Sequence, residues 1–163
     1  MAACSQEGTM STADCDTAKA GLKKAQDDIE DALRGRNKAD GELEDAKQKA
    51  KAAETALGEA KQKVTAAESA VGDARTKLST ERDKGDYPGK ERNVATLDEE
   101  FLSARKSQQS AEVDCETAKT KYDNATLDVE INKNALDRVA EEHRAAMTRE
   151  SNWAAEVKRV CQD

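Results

Sequence analysis

Apolar side chains return at every seventh position along the first half of the chain, as Cys15, Leu22, Ile29, Leu43, Ala50, Leu57, Val64, Val71 and Leu78, with Arg36 the one polar interruption. A second series lies three residues behind the first and consists of alanine alone: Ala18, Ala25, Ala32, Ala39, Ala46, Ala53, Ala60, Ala67 and Ala74. A repeat of 3.5 residues keeps one stripe facing a partner only when helices supercoil, so the pattern predicts a left-handed coiled coil. Past a break at Gly85 the same spacing resumes through Leu97, Phe101, Ala104, Gln108, Ala111, Cys115, Ala118, Tyr122, Ala125, Val129, Asn132, Leu136, Val139, His143, Ala146, Glu150, Trp153, Val157 and Val160. Gly85 suits a helix end, Tyr87-Pro88-Gly89 reads as a turn, and Thr96 with Glu99 forms a capping box whose neighbours Asp98 and Glu100 complement the helix dipole. These signals place helix 1 over 12–84, a tip loop over 85–95 that includes Asp86, Tyr87, Pro88 and Gly89, and helix 2 over 96–161.

In an antiparallel hairpin each residue of one series faces one of the other, so most layers set one bulky side chain against one methyl. Setting Leu78 against Leu97 brings Ala74 to Phe101, Val71 to Ala104, Ala60 to Cys115, Leu57 to Ala118, Ala53 to Tyr122, Ala39 to Leu136 and Leu22 to Trp153. The flanking charges favour the same register. Arg75 meets Asp98, Glu68 meets Arg105, Lys61 meets Glu112, Glu54 meets Lys119 and Asp40 meets Lys133 on one side; Lys77 meets Glu100, Lys63 meets Asp114, Lys49 meets Asp128 and Asp28 meets Arg149 on the other. A slip of one heptad replaces attraction by repulsion along a flank. The expected fold is all-α, a long antiparallel two-helix coiled-coil hairpin with an alanine-rich seam, standing alone or as part of a larger helical bundle. Residues 1–163 form one elongated domain. About 70 residues per helix at about 1.5 Å each make a rod on the order of 100 Å long.

Composition supports a thin core: 36% of residues are hydrophobic, 2% aromatic and 37% charged, and the net charge is -7. An acidic chain without a basic stripe is not drawn to nucleic acid or to an anionic membrane surface. Neither a secretory signal nor an apolar membrane span stands in the sequence, so a membrane would be reached only through an anchor outside it. Four cysteines, an even number, fit an oxidising compartment. The straight hairpin puts Cys15 beside Cys161, the preferred bridge, with Cys4 as a competing partner and Cys115 left as a buried thiol. A hairpin folded back near 35–42 and 132–134, where Gly35, Arg36, Gly41 and Asn132 weaken the core, would pair Cys15 with Cys115 and Cys4 with Cys161. His143 and Glu150 are further polar core positions in that half. Asn124-Ala125-Thr126 makes Asn124 a candidate for N-glycosylation.

One outer stripe carries no charge: Thr55, Gly58, Gln62, Thr65, Ser69, Gly72, Thr76 and Ser79, a candidate lateral contact surface where a helix or a neighbouring copy can approach closely. Leu33, Ala140 and Met147 form a smaller apolar flank. The chain lacks a Gly-rich phosphate loop, CxxC and HExxH, and a single histidine offers no nucleophile–base pair. Its carboxylates lie on solvated faces, so the expectation is a non-enzyme without cofactor or metal.

Ala/Glu/Lys-rich helices in a long hairpin, with cysteines placed to staple its base, resemble the alanine-rich and glutamate/alanine-rich surface coat proteins of African trypanosomes. More loosely they resemble the helical stalks of variant surface glycoproteins and insect-stage surface antigens of the same parasites. The resemblance implies display through a C-terminal anchor, with the base toward the membrane and the tip, Lys84 to Arg92 with Tyr87, toward host or vector. The function expected is an extracellular, rod-like surface antigen or stalk for display, shielding or adhesion. Its partners would be a protein or glycan at the tip or along the rod, or neighbouring copies in a coat. The competing expectation is an intracellular coiled-coil spacer or adaptor with reduced cysteines; a small-ligand receptor using the looser half finds no pocket signature.

Overall fold

The computed structural model describes residues 12–161, and among them it is all-helical. Helix α1 spans Thr12–Asp83 and helix α2 spans Lys90–Val160, the two forming an antiparallel hairpin. They pack as two compact units, the described parts of Met1–Asp45 with Glu130–Asp163 and the segment Ala46–Val129. Cys4 lies outside the described residues. Both helices are unbroken through 35–42 and 132–134.

The seam is where the heptad spacing puts it. In α1, Ala18, Ala25, Ala39, Ala46, Ala60 and Ala74 are buried, as are Leu43, Leu57 and Leu78. Cys15, Leu22, Ile29, Ala50, Val64 and Val71 are half-buried, and of the expected core positions in α1 only Arg36 turns out to solvent. Its long charged side chain loses less by leaving a two-helix seam than by desolvating there. In α2 the expected positions are half-buried, with Ala146 and Val160 buried and Trp153 still 36% exposed. A single facing helix cannot enclose a bulky residue on all sides, and among the described residues no large side chain is completely shielded.

Local contacts fix the register in each unit. In the first, Cys15 is joined to Cys161, Asp28 pairs with Arg149 at 3.6 Å as the charge pattern requires, and Trp153 lies over Gly21. A Cβ built at Gly21 would stand 2.6 Å from Trp153 Cδ2, so this glycine makes room for the indole. Gly35 faces Val139 in the same way, with 3.3 Å from an added Cβ to Val139 Cγ1. In the second unit, Asp98 accepts from Arg82 at 2.8 and 3.0 Å rather than from Arg75. Helical side chains lean toward their own N-terminus, so in antiparallel helices Arg82 and Asp98 lean toward each other while Arg75 leans away. Glu112, expected opposite Lys61, accepts instead from Gln108 Nε2 on its own helix at 2.9 Å.

The start of α2 differs most from expectation: it begins at Lys90, six residues before Thr96, and the loop shrinks to 84–89. Gly89 has φ of 90°, the left-handed value that position i+2 of a type II turn demands, and Pro88 fills position i+1. Tyr87 O accepts from Lys90 N at 3.2 Å and Gly89 O from Asn93 N at 3.1 Å, so the turn runs directly into the first helical turn. The capping box at Thr96 is not formed. Thr96 Oγ1 donates to Arg92 O at 3.1 Å inside the helix.

Candidate functional site

The tip is the part of the molecule where polar side chains converge. Its seam closes on Glu81, three residues after Leu78 and therefore in the position that alanine occupies in every earlier heptad. Glu81 is buried, 7% exposed. One carboxylate oxygen accepts from Lys84 Nζ at 2.6 Å; the other, Oε1, is buried without a hydrogen-bond partner. The Lys84 hydrogen bond holds the Glu81 carboxyl below the usual carboxylate range against the cost of burial, and the Lys84 charge, the nearby Asn93 amide and the Lys90 charge act in the same direction. Lys90 Nζ donates to Lys84 O and lies 3.7 Å from Asp86 Oδ1, while Asn93 Nδ2 donates to the Tyr87 hydroxyl at 3.1 Å. Asp86, Pro88 and Gly89 are exposed, and Tyr87 is 37% exposed. The loop thus offers an aromatic ring and a carboxylate held on an internally bonded frame. Glu81 escaped the sequence pattern because a carboxylate is not counted as a seam residue; only its heptad position marks it.

In the unit that holds both chain ends, the Cys15 and Cys161 sulfurs are 2.06 Å apart and their Cα atoms 5.2 Å apart. Nearby, Arg159 bonds Glu156 within the last turns of α2, which holds the Glu156 carboxyl below its ordinary range and raises the guanidinium of Arg159. Cys115 is a free thiol, half-buried rather than fully enclosed.

The lateral candidates Thr55, Gly58, Gln62, Thr65, Ser69, Gly72, Thr76 and Ser79 are all exposed. Thr55, Thr65 and Thr76 donate their hydroxyls back to Lys51 O, Lys61 O and Gly72 O at 3.1, 3.2 and 3.0 Å, so these donors are already used within α1. An added Cβ at Gly58 or Gly72 meets nothing within 4 Å. Asn124 is exposed, between the half-buried seam residues Tyr122 and Ala125. Leu33 and Met147 are 43% and 52% exposed.

Surface depressions line α2 along Phe101, Leu102, Arg105 and Gln109, and the first unit beside Gly35 and Val139, but they are open to solvent. Among the described residues there is no group of three or more His, Cys, Asp or Glu able to hold a metal ion, and no helix is long and apolar enough to cross a membrane. No protein-family model, no curated protein and no solved structure matches the chain.

Proposed function

We propose that the chain is a non-enzymatic extracellular surface antigen or stalk, the ectodomain of a membrane-anchored protein that serves display, shielding or adhesion. The observation that carries this reading is the Cys15–Cys161 disulfide, which joins the outer ends of the two helices across 146 residues of sequence. Such a bond persists in an oxidising compartment and is reduced in a cytosol. The exposed Tyr87 and Asp86 on their bonded frame give the tip a fixed face for a protein or glycan partner.

The test uses the protein from its own cells. Free thiols are alkylated under denaturing conditions before reduction, and intact cells are labelled with an antibody to the tip. The expected result is a blocked Cys15–Cys161 pair and labelling without permeabilisation. Free thiols at both positions, with labelling only after permeabilisation, would instead establish the intracellular spacer or adaptor.

A further inference from the structure

The outer face of α2 carries its own uncharged strip. Ser110, Val113, Thr117, Thr120, Asn124 and Leu127 follow one another at alternating steps of three and four, and all six are exposed. Val113 is 62% exposed and Leu127 54%. Thr117 and Thr120 donate to Val113 O and Glu116 O, each at 3.0 Å, so their hydroxyl protons are not offered outward. Charged residues make up 37% of this chain, and six successive outward positions without one leave apolar surface facing water. Asn124 stands within this strip, one turn from Thr120 and one from Leu127, and it begins the acceptor sequence Asn124-Ala125-Thr126.

We propose that Asn124 carries an N-linked oligosaccharide that lies over the outer face of α2 and shields Val113 and Leu127. This rests on the extracellular reading above, since the transfer takes place only on exported chains. The Asn124 amide nitrogen forms a bond to the anomeric carbon of an oligosaccharide carried on a lipid pyrophosphate. The carbon–oxygen bond to the pyrophosphate breaks, one amide proton is lost, and the lipid pyrophosphate departs. No oxidant or reductant takes part. In the folded helix Thr126 Oγ1 donates to Tyr122 O at 2.9 Å, which withdraws that hydroxyl from recognition, so the chain is modified while still extended. Folding then leaves the sugar outside, because Tyr122 and Ala125 take the seam and Asn124 does not. A bulky, strongly hydrated group at this position costs the fold no packing and covers what the helix leaves bare.

The experiment exports the full chain through cultured animal cells behind a heterologous leader and compares intact masses before and after peptide N-glycosidase. A mass loss is expected for the natural sequence and none for Asn124→Gln or Thr126→Ala. Asn124→Gln should keep the helical circular dichroism yet show a several-fold rise in binding of an apolar dye. That rise should disappear when Val113→Ser and Leu127→Ser are added. An exported, disulfide-bonded chain without glycosidase-sensitive mass overturns the proposal, as does a sugar whose removal leaves dye binding unchanged. Either failure leaves the surface reading standing, because that reading is judged separately by the thiols and surface labelling of the native protein.

Discussion

The glycines of α1 separate two environments that a helix-propensity scale treats alike. Gly58 and Gly72 are exposed, with open space around an added Cβ, so Gly58→Ala and Gly72→Ala should each stabilise by about 1 kcal/mol through helix propensity. Gly21→Ala should do the opposite. A methyl 2.6 Å from the Trp153 ring forces the indole outward, and a net loss of about 1 to 2 kcal/mol is expected after the propensity gain. Urea melts of the three variants check this order; stabilisation by Gly21→Ala would mean that Trp153 does not pack there. The buried carboxylate at the tip gives a second expectation. Glu81 has a lowered folded-state pKa, so its ionised form contributes stability that is present above the unfolded value and lost as pH falls through the lower folded value. The stability difference between the natural protein and Glu81→Gln should therefore shrink on acidification through the carboxylate range. A pH-independent difference would show that Lys84 and Lys90 do not act on Glu81 through charge.

At the scale of the helices, the turn explains where the sequence misleads. Thr96-Leu97-Asp98-Glu99 has every chemical requirement of a capping box, yet the Pro88-Gly89 turn starts the helix six residues earlier, at Lys90, and it is already running when Thr96 is reached. Thr96→Ala should then cost within about 0.5 kcal/mol, against about 1 kcal/mol for a lost cap. Gly89→Ala should cost about 1 to 2 kcal/mol, because an L side chain is strained at φ of 90°. Thermal melts of the pair distinguish the two helix starts directly. The seam itself is readable because Ala18 through Ala74 repeat without a gap and small-against-large packing needs no further information. Cys15 with Cys161 follows from the same register. Asp98's choice of Arg82 over Arg75 depends on side-chain lean, which a list of opposing positions does not contain. A binding role for the tip or the lateral stripe is not written in periodicity at all: Tyr87 and Thr65 are exposed for reasons that hold with or without a partner.

For the molecule as a whole, the two units are closed by different covalent means. The Ala46–Val129 unit is closed by the six-residue loop 84–89, and the other by the Cys15–Cys161 bond. Each has a thin seam made largely of alanine and half-exposed residues, so closing the chain ends matters more here than in a domain with a deep core. For a bond spanning 146 residues, loop entropy puts the gain against complete unfolding at about 5 kcal/mol, comparable to the low end of whole-domain stabilities. Reduction should not loosen both units equally. Without the bond, residues 12–45 and 130–161 are free to separate from their ends, whereas 46–83 and 90–129 remain joined through the turn and keep Leu57 and Leu78 covered. Hydrogen exchange after mild reduction, or in a Cys15→Ser/Cys161→Ser variant, should accelerate by orders of magnitude in the first pair of segments and far less in the second. Equal acceleration throughout would mean that the helices open as one cooperative unit and that the disulfide acts on the entire hairpin rather than on its own half.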